Sequence, residues 1–178
     1  MPADSREAIT SFTGSNYRAI RASEESGKPN AQSDAIQRAF RVVRPEPGTV
    51  YRGVTGIDRG TVEKWIRWNN AKDGPFRLGR GNVGATSSAA WHPAVAAQSF
   101  MGGHQSYGSY PANSYRVLFK IQQHSGIPVE TVSAAGASET EILLSRSAEF
   151  NVSRVARWEG TQNVVVIELN EVQKFGTE

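Results

Sequence analysis

Two glutamates spaced two residues apart, Glu139 and Glu141, are the residues of this chain whose type and spacing most clearly indicate chemistry. The apolar residues 142–144, Ile-Leu-Leu, follow directly, so the segment is predicted to begin a buried strand. Side chains alternate along a strand, which places both carboxylates on one face, roughly 7 Å apart. Such a pair is costly at the mouth of a buried strand, because the charges repel each other and lose hydration. The pattern therefore favours a site that stabilises a positive charge.

An arginine followed by a glycine is a second candidate site. A predicted strand begins at Thr49 and runs through Tyr51 to Arg52, and Gly53 follows at once. An arginine at the end of a strand can clamp a pyrophosphate bidentately, and glycine lets a ligand approach the backbone closely. The alternative is an edge-strand arginine that pairs with a surface carboxylate.

Three consecutive hydroxyl residues, Thr86, Ser87 and Ser88, interrupt a segment of small and apolar residues that is predicted as a strand over 83–88. Hydroxyls that face a core need hydrogen-bond partners, and a carboxylate is a natural one. The alternative is a strand of small residues whose hydroxyls bond to the local backbone.

A long stretch of the chain carries no acidic residue. Between Asp73 and Glu130 the only charged side chains are cationic: Arg77, Arg80, Arg116 and Lys120. Together with many glycines and hydroxyls, this composition suits an anionic ligand such as a phosphate, with Arg77 and Arg80 as candidate ligands. The alternative is a polar loop region whose charge bias has no function.

Several other functional classes find no support among the motifs of this sequence. Residues 79–84 match GxGxxG, but no acidic residue follows within about 20 positions, so we reject a dinucleotide-binding Rossmann motif. No HExxH, GxSxG or GxxxxGK[ST] motif occurs, and the three histidines lack metal-ligand spacing. There are no cysteines, which excludes disulfides and thiolate metal sites.

The elements that must position these residues follow a simple order. Helices are predicted over 6–21, interrupted at Gly14, then over 33–40 (capped by Ser33 or Asp34) and 61–69. A short helix over 94–100 and a loop over 99–113 follow. The later strands are predicted over 115–121, 127–129, 142–144, 150–155 and 164–169. Helices first and strands later indicate an α+β fold, and we expect a single domain over 1–178.

In this order, the three motifs resemble the Arg–Ser-Thr-Ser–Glu-x-Glu class of mono-ADP-ribosyltransferases, which includes clostridial toxins, bacterial effectors and phage enzymes. The matching pieces are Tyr51-Arg52-Gly53, Thr86-Ser87-Ser88 and Glu139-Thr140-Glu141. Segments 9–21 and 94–100 also resemble the family's helices, so the resemblance spans nearly the whole chain. The family usually reads Ser-Thr-Ser, which aligns here with 85–87 or with 86–88.

The resemblance implies a fold of N-terminal helices and two packed, mostly antiparallel sheets that form an NAD-binding cleft. It implies that Arg52 holds the NAD phosphates and that the Gly53 backbone meets the nicotinamide carboxamide. The hydroxyl motif, 86–88, would brace the cleft and hydrogen-bond Glu141. Glu141 would bind the nicotinamide-ribose hydroxyl and stabilise the oxocarbenium ion, while Glu139 would orient or deprotonate the acceptor.

The resemblance also implies the reaction and its partners. Glutamate at the position of Glu139 is associated in the family with arginine acceptors, so we expect an arginine of a target protein to be modified with NAD as co-substrate and without a metal. The chain would then act as a toxin or effector, with an immunity protein as a possible partner. Many relatives use an aromatic residue in the turn before the glutamates, and residues 133–138 contain none. The acceptor protein stays open.

The sequence also allows two alternative functions, and it bears on where the protein acts. A non-catalytic binding module could keep this fold, and the pI of 9.4 suggests a nucleic-acid acceptor, although a net charge of +3 argues against nucleic acid as a partner. No apolar run approaches the roughly 20 residues of a membrane span, and the start lacks a signal-peptide pattern. We therefore expect no membrane partner and action in the cytoplasm of a host or target cell.

Overall fold

The computed structural model describes residues 1–94, 114–129, 141–157 and 163–173. The predicted helix over 94–100, apart from its first residue, the predicted loop over 99–113 and Glu139 lie outside these residues. Contacts between Cα atoms divide the chain into two compact units. The first contains residues 1–48, 77–89 and 123–149, and the second contains 49–76, 90–122 and 150–178. The expectation of one domain over 1–178 stays a prediction.

Three helices form the N-terminal part of the first unit: α1 (Ala3–Ser11), α2 (Tyr17–Ser26) and α3 (Ala31–Val42). A π-helical turn, Phe12–Asn16, joins α1 to α2, and Gly14 inside it has φ −94° and ψ −111°. The predicted interruption at Gly14 is therefore confirmed. The cap of α3 differs from the prediction, because Asn30 accepts the N–H of Ser33 and the helix starts earlier than expected.

These helices bury one apolar face against two short strands of the first unit. Strand β4 (Ile127–Pro128) pairs antiparallel with β5 (Glu141–Leu144), which is buried along its whole length. Strand β5 lies beside β2 (Ser87–Ala90), and the order within this unit is β4-β5-β2. The core joins helix and strand residues, namely Ala8, Ile9, Phe12, Ile20, Ala35, Ile36, Ala39, Ile127, Val129 and Leu143. Glu141 is therefore fixed at the start of a strand with an apolar anchor.

The second unit contains longer strands. Strands β1 (Gly48–Ile57), β3 (Tyr115–Gln123), β6 (Phe150–Arg157) and β7 (Val164–Glu171) follow the end of β2 in the order β2-β1-β3-β7-β6. Tyr51 pairs with Ala90 of β2 antiparallel, β3 pairs with β7 parallel, and β6 pairs with β7 antiparallel. Helices α4 (Arg59–Ile66) and α5 (Asn70–Asp73) follow β1. The α+β class, with helices first and mostly antiparallel strands, is confirmed.

Two predicted strand limits are wrong. The strand predicted over 83–88 begins only at Ser87, because side chains of α2 take the hydrogen bonds of Thr86. The strand around Arg52 does not end there but continues to Ile57, since the β-branched residues after Gly53 extend it. Arg52 therefore lies in the middle of β1.

An aromatic cluster fills the second unit. Phe76 is fully buried, and its ring lies 5.5 Å from Trp65, 5.2 Å from Trp68 and 5.8 Å from Phe119, between centroids. Backbone hydrogen bonds to Phe150 in both directions hold Phe76 against β6. The rings of Trp65 and Trp68 meet Phe76 edge to face, and this arrangement adds to the gain from burial.

We expect Phe76→Ala to lower the free energy of unfolding by about 3–5 kcal/mol, because it opens a cavity among three aromatic rings. Urea denaturation followed by tryptophan fluorescence measures this loss. The exposed Val42 provides a control, and Val42→Ala is expected to change stability by less than about 0.5 kcal/mol. A loss below about 1 kcal/mol for Phe76→Ala would contradict the packing described above.

Candidate active site

The first unit brings Glu141 and the hydroxyl motif to neighbouring strands. Glu141 opens β5 and is 6% exposed, and Thr86 and Ser87 are fully buried at the start of β2. Ser88, one residue further along β2, is half-buried. Strands β5 and β2 lie side by side in this unit. The arrangement puts a buried carboxylate beside a polar strand.

A glutamate from helix α2 fixes the first hydroxyl. Glu24 is only 9% exposed, and its Oε1 accepts the Thr86 N–H at 2.9 Å. Its Oε2 accepts the Thr86 hydroxyl at 2.6 Å and the Ser33 hydroxyl at 2.7 Å. Three donors therefore compensate the buried carboxylate, which would otherwise be costly to dehydrate.

An arginine one helical turn earlier holds the same segment from its carbonyl side. The Arg21 Nη1 donates to the Thr86 carbonyl at 2.7 Å and to the Ser87 hydroxyl at 2.6 Å, and Nη2 donates to the Leu78 carbonyl at 3.0 Å. Burial lowers the pKa of the Arg21 guanidinium, and the negative charges of Glu25 and Glu24 oppose that shift. Arg21 is thus a cation held in a largely buried place by acceptors of fixed geometry.

In these contacts, two of the three hydroxyls already donate their protons to other acceptors. Thr86 gives its proton to Glu24, and Ser87 gives its proton to the Ala85 carbonyl at 3.0 Å while it accepts from Arg21. A hydroxyl has one proton to donate, and a guanidinium can only donate. Neither Thr86 nor Ser87 is therefore able to donate to a further carboxylate in this geometry.

Arg21 and Glu24 were not recognised from the sequence as site residues. The available signal was a charge on the buried face of a helix, since Ile20 and Glu24 lie one turn apart and both are buried. The partners of that charge lie about sixty residues further along the chain, so the sequence spacing alone does not identify them.

The glycine-rich loop that matches GxGxxG is a compact turn and not a strand-to-helix junction. Residues Arg80–Asn82 form one 3-10 turn with Gly81 at φ +70°. A Cβ on Gly84 would lie 1.9 Å from the Arg146 carbonyl oxygen, so only glycine fits there. The rejection of a Rossmann motif agrees with this geometry.

The two candidate phosphate ligands of this loop differ in their surroundings. The Arg77 guanidinium bonds to the Glu149 carboxylate, and its backbone N–H donates to Asn82 Oδ1 at 2.7 Å. The Arg80 side chain is exposed, while its backbone N–H bonds to Glu25. Arg80 is thus open to a solvent-borne anion, whereas the charge of Arg77 is already shared with a carboxylate.

Arg52 and Gly53 belong to the second unit. Both are half-buried in β1, directly after Tyr51, whose partner in β2 is Ala90. Gly53 has no side chain, so a ligand can approach the backbone of β1 closely at this residue.

The described residues contain neither a metal-binding group nor a helix that could span a membrane. In the described ranges, no three histidine, aspartate or glutamate side chains are grouped so that they could hold a metal ion. Of the described helices, none is both long and apolar enough to cross a bilayer.

Comparison with known proteins identifies a fold. No family profile matches this sequence, and no curated protein sequence is significantly similar to it. Among solved structures, the chain is similar to the ADP-ribosyltransferase Vis of Vibrio splendidus in complex with agmatine, with a TM-score of 0.68 and 19% identity over 99% of this chain and 78% of that one. It is also similar to HopU1 of Pseudomonas syringae, with a TM-score of 0.68 and 18% identity over 94% and 76%.

A third similar structure is exoenzyme S of Pseudomonas aeruginosa in complex with human 14-3-3 protein beta and carba-NAD. It has a TM-score of 0.61 and 18% identity over 98% of this chain and 78% of that one. All three are bacterial ADP-ribosyltransferases, and at these identities they establish that this chain has the ADP-ribosyltransferase fold. The fold that the sequence motifs resembled is thereby confirmed.

The close approach of Gly84 to Arg146 yields a test of the loop. We expect Gly84→Ala to destabilise the protein by about 1–3 kcal/mol, because the new methyl group must displace the Arg146 carbonyl. Thermal unfolding followed by circular dichroism measures the change.

Gly60→Ala is the matched control, since a Cβ at this helical position first meets the Asp58 carboxylate at 3.3 Å, and we expect a change below about 1 kcal/mol. Equal stability of the Gly84→Ala and wild-type proteins would show that the two backbones do not approach as described.

Proposed function

We propose that this chain is an NAD-dependent mono-ADP-ribosyltransferase that transfers ADP-ribose to an arginine of a target protein and releases nicotinamide. The observation that carries the proposal is the buried Glu141 at the start of β5, beside the hydroxyl-bearing strand β2, in a chain with the ADP-ribosyltransferase fold. Fold alone does not specify chemistry, so the argument rests on what these residues can do.

The chemistry requires stabilisation of a sugar cation. When the bond between ribose and nicotinamide breaks, the electron pair leaves with neutral nicotinamide and the ribose becomes an oxocarbenium ion. A carboxylate already placed beside that ion lowers the barrier, and burial strengthens its effect because water does not screen it. Glu141 takes this role. The acceptor nitrogen then bonds to the ribose carbon and gives up a proton.

We assign the bracing hydroxyl of Glu141 to Ser88. In the described contacts, Thr86 donates its hydroxyl proton to Glu24 and Ser87 donates its own to the Ala85 carbonyl, so neither of these two is suited to the role. Its half-buried position in β2, the strand beside β5, is compatible with the assignment.

The remaining roles follow the resemblance of the motifs. Arg52 would hold the NAD phosphates bidentately, with the Gly53 backbone at the nicotinamide carboxamide. Arg80, whose side chain is exposed, is a better additional phosphate ligand than Arg77, which is bonded to Glu149. Glu139 would receive the acceptor.

A guanidinium is the acceptor that these residues favour. A second carboxylate two residues before Glu141 attracts a guanidinium by charge and by paired hydrogen bonds, and it can accept the proton that the nitrogen loses. The similar protein Vis has been crystallised with agmatine, a small guanidine. We therefore propose a protein arginine as acceptor, and a toxin or effector that acts in the cytoplasm of the cell it enters.

Glu141→Gln tests the catalytic carboxylate. Because the amide keeps the shape and loses the charge, we expect nicotinamide release to fall by about 100-fold or more, mainly in kcat. The measurement is nicotinamide release from NAD together with transfer of labelled ADP-ribose to lysate proteins. Ser88→Ala should show a smaller loss of the same kind.

The exposed Glu7 supplies the matched control, since Glu7→Gln makes the same chemical change far from the motif in sequence and should retain full activity. Wild-type activity in the Glu141→Gln protein would refute the role of Glu141. Label that nuclease removes and protease does not would show a nucleic-acid acceptor instead, and failure of the wild type to bind or cleave NAD would indicate a binding module.

Glu139→Gln separates transfer from cleavage. We expect transfer to agmatine to fall by about 10- to 100-fold, while hydrolysis of NAD to nicotinamide and ADP-ribose continues, because water needs no carboxylate to capture the cation. Mass spectrometry of ADP-ribosyl-agmatine and of free ADP-ribose measures both products. An equal fall in the two products would contradict a role for Glu139 in receiving the acceptor.

A further inference from the structure

We propose that Arg21 and Glu24 of helix α2 are positioning residues that hold the start of β2, and through it Glu141, in the catalytic geometry. The proposal rests on the proposed function, since it concerns the same site. Neither residue is assigned a contact with substrate. They act through Thr86 and Ser87, which they hold by hydrogen bonds.

The two side chains together satisfy every polar group of Thr86. Glu24 accepts from its backbone N–H and its hydroxyl, and Arg21 donates to its carbonyl. An acceptor-only group and a donor-only group, three residues apart on one helix, thus match the donors and the carbonyl acceptor of a single residue, Thr86. Thr86 therefore takes its hydrogen bonds from α2 and not from a neighbouring strand.

This arrangement fixes the register of β2. Side chains on a strand alternate, so a shift by one residue would exchange the faces of all its hydroxyls. Arg21 and Glu24 form hydrogen bonds with the side chains of Thr86 and Ser87 themselves, and not only with the backbone. A shift by one residue would break these bonds, so they oppose it. Ser88, the hydroxyl assigned to Glu141, follows directly in the chain and inherits that register.

A second chain of contacts leads from Glu24 to the segment after β5. Ser33 donates to Glu24 Oε2 and accepts from Arg146 Nη1 at 2.6 Å, and Arg146 also contacts Asp34 at 3.0 Å. Ser145 donates to Gln37 Oε1 at 2.8 Å. The residues that precede β2 and those that follow β5 are therefore both fixed to α2 and α3 by hydrogen bonds.

Stability alone accounts poorly for this network. Burying a cation and an anion costs dehydration energy that their attraction often only balances, and packed apolar residues would stabilise the same helix at least as well. Buried charged groups do, however, specify one geometry among several, because any other leaves a charge without partners. A site whose carboxylate must be placed to within fractions of an ångström benefits from that specificity.

The test compares Arg21→Met and Glu24→Gln with Arg18→Met, a matched control on the same helix whose side chain is exposed beside Tyr17. We expect kcat for nicotinamide release to fall about 10- to 100-fold in Arg21→Met, with the KM for NAD changed less than about threefold. In a double-mutant cycle, adding Arg21→Met to Ser87→Ala should cost less than it costs in the wild type, because one of the three contacts of Arg21 is already lost.

Hydrogen exchange provides a readout that does not depend on activity. We expect the amides of 86–90 and 141–144 to exchange about tenfold faster or more in Arg21→Met, with α4 unchanged. If Arg21→Met fails to fold, Arg21→Lys keeps the charge and loses the planar fork, and the same two measurements apply to it.

Each outcome decides the proposal. Unchanged exchange, full additivity in the cycle, or unchanged kcat despite faster exchange would overturn it. If the wild-type protein releases no nicotinamide, the proposed function fails, and hydrogen exchange alone then decides whether α2 holds the two strands.

Discussion

The first unit depends on one constraint, which is that the buried residue Thr86, directly before β2, must find its hydrogen bonds outside the sheet. Thr86 is fully buried, and its N–H, carbonyl and hydroxyl all bond to side chains of α2. An unpaired buried group would cost on the order of 1–3 kcal/mol, so α2 must lie where Arg21 and Glu24 reach Thr86. These contacts therefore determine where the helix lies, whereas helix propensity does not.

The loop before β2 follows from the same constraint. Arg21 also bonds to the Leu78 carbonyl, so residues 78–87 must fold back tightly enough for one guanidinium to reach both ends. A turn of that tightness needs glycine at Gly81, where φ is +70°, and at Gly84, where the Arg146 carbonyl leaves no room for a side chain. The backbone conformation and the packing of this loop thus explain why it is rich in glycine. The GxGxxG motif can therefore occur here without a dinucleotide-binding fold.

The sequence predicted those parts of the structure that depend on local pattern. The apolar residues after Glu141 predicted β5, the break at Gly14 predicted the division of the first helix, and helices before strands predicted the α+β class. Arg21 and Glu24 were missed because their role is set by partners about sixty residues away, which no helical periodicity reveals. The end of β1 was misplaced because Gly53 was read as a terminator, whereas the residues after it favour extended structure.

The buried position of Glu141 also bears on the choice between an enzyme and a binding module. A module that only needs the fold can place an apolar side chain at the start of β5, next to Ile142 and Leu143, both fully buried, at no dehydration cost. A glutamate that is 6% exposed at that position costs free energy in the resting protein. In the proposed function this cost has a purpose, because a carboxylate already in place stabilises the positive charge that forms when nicotinamide leaves NAD. The same argument applies to Arg21 and Glu24, whose side chains hold the residues at the start of the neighbouring strand. The proposed function therefore gives one reason for all three of these buried charged side chains, whereas a module that only keeps the fold gives none.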